Sequence, residues 1–70
     1  MSLFKDNLFH LRTKAGLTQA ELAEKCGVSQ QTIFSYEIGT KTPRIEVLAA
    51  LAKALQCTSD ELLMENRIAK

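Results

Sequence analysis

Three glycines constrain this chain more than any other feature. The stretch from Gly16 to Gly39 reads GLTQAELAEKCGVSQQTIFSYEIG, and positions 16, 27 and 39 hold the only 3 glycines in the sequence. Glycine adopts the left-handed conformation that closes a helix at no steric cost, so each of the three predicts a helix end. After the first comes Thr18-Gln-Ala-Glu21, which has the form of a capping box. The Thr18 hydroxyl can accept from the Glu21 N–H while the Glu21 carboxylate accepts from the Thr18 N–H. Leu17 and Leu22 flank the box at the staple positions. After the second glycine Ser29 caps another helix, with Val28 and Ile33 as its staple. Only Gly27-Val28-Ser29 separates the two helices, and so short a link forces a sharp angle between them: a helix-turn-helix.

The rest of the chain reads the same way. Phe4, Leu8, Leu11 and Ala15 recur at helical spacing behind Ser2, a candidate cap, and Gly16 ends that helix. Pro43 suits the first turn of a fourth helix whose apolar stripe is Leu48, Leu51, Ala52 and Leu55. Thr58-Ser-Asp-Glu61 repeats the capping box, with Cys57 and Leu62 as its staple, and opens a short fifth helix through Leu62 and Leu63. There is no strand-like alternation, low-complexity segment or internal repeat. The expected fold is all-α, a compact five-helix bundle forming one domain over 1–70. The helix-turn-helix lies at about 18–38, with room for a C-terminal extension at 64–70.

Composition narrows the function. Seventy residues, 46% of them hydrophobic, suffice for one small core. The net charge of +1 excludes a polybasic tail but not a local basic patch. Cys26 and Cys57 stand far apart, without a CxxC pair or clustered histidines, so they read as small buried hydrophobes in a reducing compartment. No metal or other cofactor is expected. Val47 to Ala52, the longest apolar run, is too short to cross a bilayer, and MSLFKD lacks the pattern of a signal peptide. A soluble cytoplasmic domain with no membrane partner is expected. It is not expected to be an enzyme: the chain has no carboxylate pair, nucleophile–base pairing, phosphate-cradling glycine loop or metal cluster, and its lone His10 reads as a surface residue.

The helix after Ser29 carries the chemistry. On a wheel of about 100° per residue, Tyr36 and Glu37 share the side of Ile33. Gln31 and Ser35 fall opposite, Gln30 sits at the exposed tip and Thr32 on one flank. A glutamine amide offers adenine both a donor and an acceptor in the major groove, and Ser or Thr can bond either kind of base edge. Gln30, Gln31, Thr32 and Ser35 are therefore the candidate base contacts. Thr18 and Gln19 stand at a helix N-terminus, where backbone N–H groups favour an anion. With Thr40, Lys41 and Arg44, in a polar basic loop that also holds Thr42, they form the candidate phosphate contacts. The plain alternatives are solvated glutamines at a helix start and a merely solvated loop.

With those residues in view, LRTKAGLTQAELAEKCGVSQQTIFSYEIGTKTPRIEVLAALAKAL resembles the phage-repressor, Cro-like (XRE) family of helix-turn-helix domains. The likeness runs from about Leu8 to Leu63 and is carried by GLTQAELA, the GVSQQTI turn and the E-x-G after the third helix. It implies a lambda-repressor-like DNA-binding domain that binds a double-stranded DNA operator, usually as a homodimer. By position it implies base contacts from Gln30, Gln31 and Ser35, a phosphate contact from Gln19, and a buried ion pair between Arg12 and Glu37. Two residues depart from the family pattern. Ile38 stands where an asparagine often donates to a phosphate, and Phe34 replaces a usually polar residue. Phe9, on the first helix, is a similar puzzle.

The function expected is a sequence-specific transcriptional regulator, read as a repressor, on a pseudo-palindromic operator. The alternative is a protein-interaction module or the antitoxin of a toxin pair on the same fold. Met64 and Ile68, four residues apart, either fray or form an apolar seam with a second copy.

Overall fold

The computed structural model describes residues 3–64, with side chains from Phe4 onward. Ser2 and Ile68 lie outside the described residues. The helices are α1 (Leu3–Lys14), α2 (Gln19–Cys26), α3 (Gln30–Ile38), α4 (Ile45–Leu55) and α5 (Ser59–Leu63), and the described residues contain no strand.

Local chemistry sets most of these ends. Both capping boxes form: the Thr18 hydroxyl accepts from the Glu21 N–H at 3.0 Å while Glu21 accepts from the Thr18 N–H at 2.8 Å. Thr58 and Glu61 repeat the pair at 3.1 and 2.8 Å. Gly27 closes α2 at φ +73°, with the Val28 N–H donating to the Ala23 carbonyl at 3.0 Å. Gly39 closes α3 at φ +89°, and the Lys5 side chain crosses it so closely that an added Cβ would lie 2.9 Å from Lys5 Cδ. Glycine is needed there for both reasons.

One helix start differs from expectation, and one helix end closes without glycine. Pro43 does not open α4: the chain stays extended through Arg44, the N-cap residue at φ −72° and ψ 167°, and helical geometry begins at Ile45. A proline φ suits an extended approach as well as a first turn, and no side-chain cap bond holds the earlier start. The C-terminus of α4 has no glycine. Gln56 takes the left-handed conformation instead, at φ 57°, and its N–H donates to the Lys53 carbonyl at 3.2 Å.

Each helix contributes one side chain with no solvent exposure to the core: Leu8, Leu22, Ile33, Leu51 and Leu62. Phe4 packs edge-on against Tyr36, ring centroids 6.1 Å apart. Cys26 and Cys57 are half-buried against this core rather than fully buried as expected. They occupy the last position of α2 and the residue before the α5 cap, so their side chains lie at its rim. Burial pushes both thiols up, with Glu61 adding to the effect at Cys57, which keeps them protonated at neutral pH.

Asn7 is buried as well. Its Nδ2 donates to the Leu62 carbonyl at 2.9 Å and the Met64 carbonyl at 2.7 Å. Carbonyls at a helix end have no intrahelical donor, so this one amide closes α5 and ties it to α1. Met64, itself exposed, has extended backbone that ends α5.

Candidate nucleic-acid interface

The Ser29 cap fixes the first turn of α3. Its hydroxyl accepts from the Thr32 N–H at 3.1 Å and shares a 2.9 Å hydrogen bond with the Thr32 hydroxyl. That bond occupies Thr32, which is half-buried, whereas Gln30 and Gln31 are exposed. Ser35 is half-buried one turn further on, and its carbonyl accepts from the Thr40 N–H at 3.0 Å. Ile33 and Tyr36 face the core. The exposed start of α3 is therefore polar and uncharged, and it is carried on a helix anchored from behind.

One carboxylate provides much of that anchoring. Glu37 accepts from Arg12 Nε at 2.5 Å and Nη2 at 3.1 Å, and the two side chains are only 5% and 11% exposed. Arg12 Nη1 donates to the Leu17 carbonyl at 2.7 Å, which brings in the turn between α1 and α2. Gln19 Nε2 donates to Glu37 Oε1 at 3.0 Å. A carboxylate can only accept, so the amide nitrogen of Gln19 must face it. α1, α2 and α3 thus meet at Glu37. The Gln19 side chain is half-buried and retains its amide oxygen and one N–H for other partners.

Thr18, Thr40, Lys41 and Arg44 are all exposed. Thr18 is committed to its capping box, and the Thr40 hydroxyl donates to the Ser35 carbonyl at 3.3 Å, folding the chain back over the end of α3. Arg44 lies near the core-facing Tyr36. Burial pushes that phenol up, the Cys26 thiol adds to the shift and Arg44 opposes it. On α1, the Arg12 guanidinium lies 5.4 Å from the centroid of the ring of Phe9, an exposed residue.

The structure thus brings Gln19, Arg12 and Glu37 together, and it leaves Gln30 and Gln31 exposed on the same helix as Glu37. The Gln19–Glu37 bond was not foreseen. It joins residues 18 apart in sequence, and neither local spacing nor periodicity signals it. Among the described residues no group of His, Cys, Asp or Glu is placed to hold a metal, and no helix is long and apolar enough to cross a membrane. A helix with an exposed, amide-bearing first turn and a cationic loop after its far end has the chemistry to enter a groove.

Comparison with known proteins agrees with this architecture. The helix-turn-helix family profile matches residues 8–62. The chain belongs to the phage-repressor, Cro-like group of helix-turn-helix domains. It is 42% identical over 60 residues to the HTH-type transcriptional activator BcrR of Enterococcus faecalis, a match covering 86% of this chain and 29% of BcrR. It is 33% identical over 64 residues to the cryptic phage CTXphi transcriptional repressor RstR of Vibrio cholerae, covering 91% of this chain and 58% of RstR. The chain thus spans less than two thirds of either relative. Its fold is similar to that of the P22 c2 repressor, solved in complex with a synthetic operator. The TM-score is 0.87 at 36% identity, over 94% of this chain and 100% of that one.

Proposed function

We propose that this chain is a cytoplasmic, sequence-specific DNA-binding transcriptional regulator. It binds as a homodimer, placing α3 of each copy in the major groove of a pseudo-palindromic operator whose half-sites lie roughly 34 Å apart. The observation that carries this reading is the first turn of α3. Gln30 and Gln31 are exposed there, with a cationic loop holding Lys41 and Arg44 beyond the other end of the helix. Gln30, Gln31 and Ser35 read base edges, and Thr32, tied to its cap, flanks them. Thr18, Gln19, Thr40, Lys41 and Arg44 meet the phosphates, Gln19 through the N–H that Glu37 leaves free. Repression is the mode proposed, because a domain filling the groove excludes other proteins from that site. The repressors RstR and P22 c2 support this mode, and the activator BcrR shows that similar domains also occur in activators.

Base-reading and phosphate contacts give different results on substitution. Gln30→Ala or Gln31→Ala is expected to cost about 1–3 kcal/mol on the preferred duplex and relax selectivity at one base pair. Lys41→Ala is expected to weaken binding to all sequences alike and to flatten the logarithmic salt dependence by about one unit. Titrations of matched and single-mismatch duplexes at several salt concentrations check both. Unchanged base preference in both glutamine variants rejects the reading role of α3, and an unchanged slope removes Lys41 from the phosphate set.

The exposed Phe9 ring favours a second reading, an interaction module that docks a protein on α1. A stoichiometric protein partner combined with no DNA selectivity would put that reading first.

A further inference from the structure

Two large apolar side chains stand exposed on the helix that reads bases. Phe34 is 42% and Ile38 49% exposed. At about 100° per residue, Ile38 falls about 20° from Gln31 around α3, while Phe34 lies about 60° from it on the same side. Phe34 and Ile38 are also one turn apart, so they form a continuous strip along the edge of the face that presents Gln31.

The surroundings of the strip identify what it meets. Lys5, paired with Asp6 at 3.4 Å, crosses the end of α3 at Gly39, and Lys41 and Arg44 follow in the next loop. The nearest acid on the helix, Glu37, is buried and neutralised by Arg12. An apolar strip that ends towards a cationic loop and runs beside base-reading groups fits a surface where apolar groups lie between phosphates. In the major groove that apolar group is the thymine 5-methyl. A second copy docked on the strip would cover the neighbouring Gln31.

We infer that Phe34, continued by Ile38, contacts thymine methyl groups in the major groove, and that these contacts set part of the sequence preference. This inference rests on the proposed DNA-reading function and adds to it a hydrophobic determinant that the amides do not supply. It also gives a role to one departure from the family pattern: at position 34 apolar contact with a base methyl takes the place of a polar side chain.

Replacing thymine by uracil tests this, because the base pair stays intact and only the methyl is removed. Single uracil substitutions are made throughout the duplex the protein prefers, and affinity is measured for the wild type, Phe34→Ala, Ile38→Ala and Phe34→Leu. For the wild type, uracil at one or two positions in each half-site is expected to weaken binding about fourfold. Phe34→Ala is expected to bind the thymine duplex more weakly and to lose the penalty at the position it contacts, whereas Phe34→Leu, still apolar, retains it. Thermal melts of each variant establish that it is folded.

No uracil penalty anywhere in the wild type, with sequence-specific binding intact, overturns the methyl contact alone. The same penalty in the wild type and both alanine variants overturns the assignment to Phe34 and Ile38. Loss of self-association in Phe34→Ala with an unchanged penalty would assign the strip to a second copy. Absence of any sequence preference in the wild type would instead reject the DNA-reading function itself.

Discussion

Glu37→Ala is expected to lower the stability of the domain by about 3–5 kcal/mol, the usual cost of removing one member of a buried ion pair. The loss is large because the substitution leaves the Arg12 guanidinium charged and 11% exposed without its counter-ion. It also releases the Gln19 amide and cuts the link from α1 through the Leu17 turn to α3. A domain of this length has a total stability of only about 4–10 kcal/mol, so most of its margin disappears. Urea unfolding followed by circular dichroism measures the change. Replacing both partners with apolar residues, Arg12→Met with Glu37→Leu, is expected to recover much of it, since no buried charge is then stranded. A cost below about 1 kcal/mol for Glu37→Ala, the range of an exposed pair, would contradict this view of the network.

Leu22→Ala is expected to cost about 2–5 kcal/mol, the range for a buried leucine whose cavity does not fully collapse. Leu22 has no exposure and sits where the α2 staple meets the contributions of the other four helices. It is not among the residues proposed to meet DNA. Measured at a temperature where the variant is still folded, its operator affinity should match the wild type while its denaturation midpoint falls sharply. A small loss of stability would mean that the centre of four leucines and one isoleucine repacks freely. A changed base preference would mean that the α2–α3 angle depends on Leu22 itself.

The parts of the fold legible in the sequence are those that local chemistry decides. Both capping boxes, the Ser29 cap and the Gly27 and Gly39 ends follow from residues within a few positions of one another, and each forms. Periodicity also placed Ile33 and Tyr36 inward and left Gln30 and Gln31 outward. What could not be read depends on distant partners or on near-degenerate local choices. Asn7 looks like an ordinary polar helix residue until α5 returns to it across 55 positions of sequence. Gln56 adopts a backbone conformation that a glycine would have announced, and Pro43 suits both a helix start and the extended approach it takes. In the candidate site the amide tip was visible in the wheel. The commitment of Gln19 to Glu37 was not, because it exists only once α2 and α3 are packed.

The measurement closest to the central claim is selection of bound duplexes from a random pool about 30 base pairs long, carried out at two salt concentrations. A pseudo-palindromic motif with half-sites about one helical turn apart, recovered at both salts, is the expected result. Binding that is salt-sensitive but blind to sequence, or no binding at all, would contradict a dimeric reader built on α3.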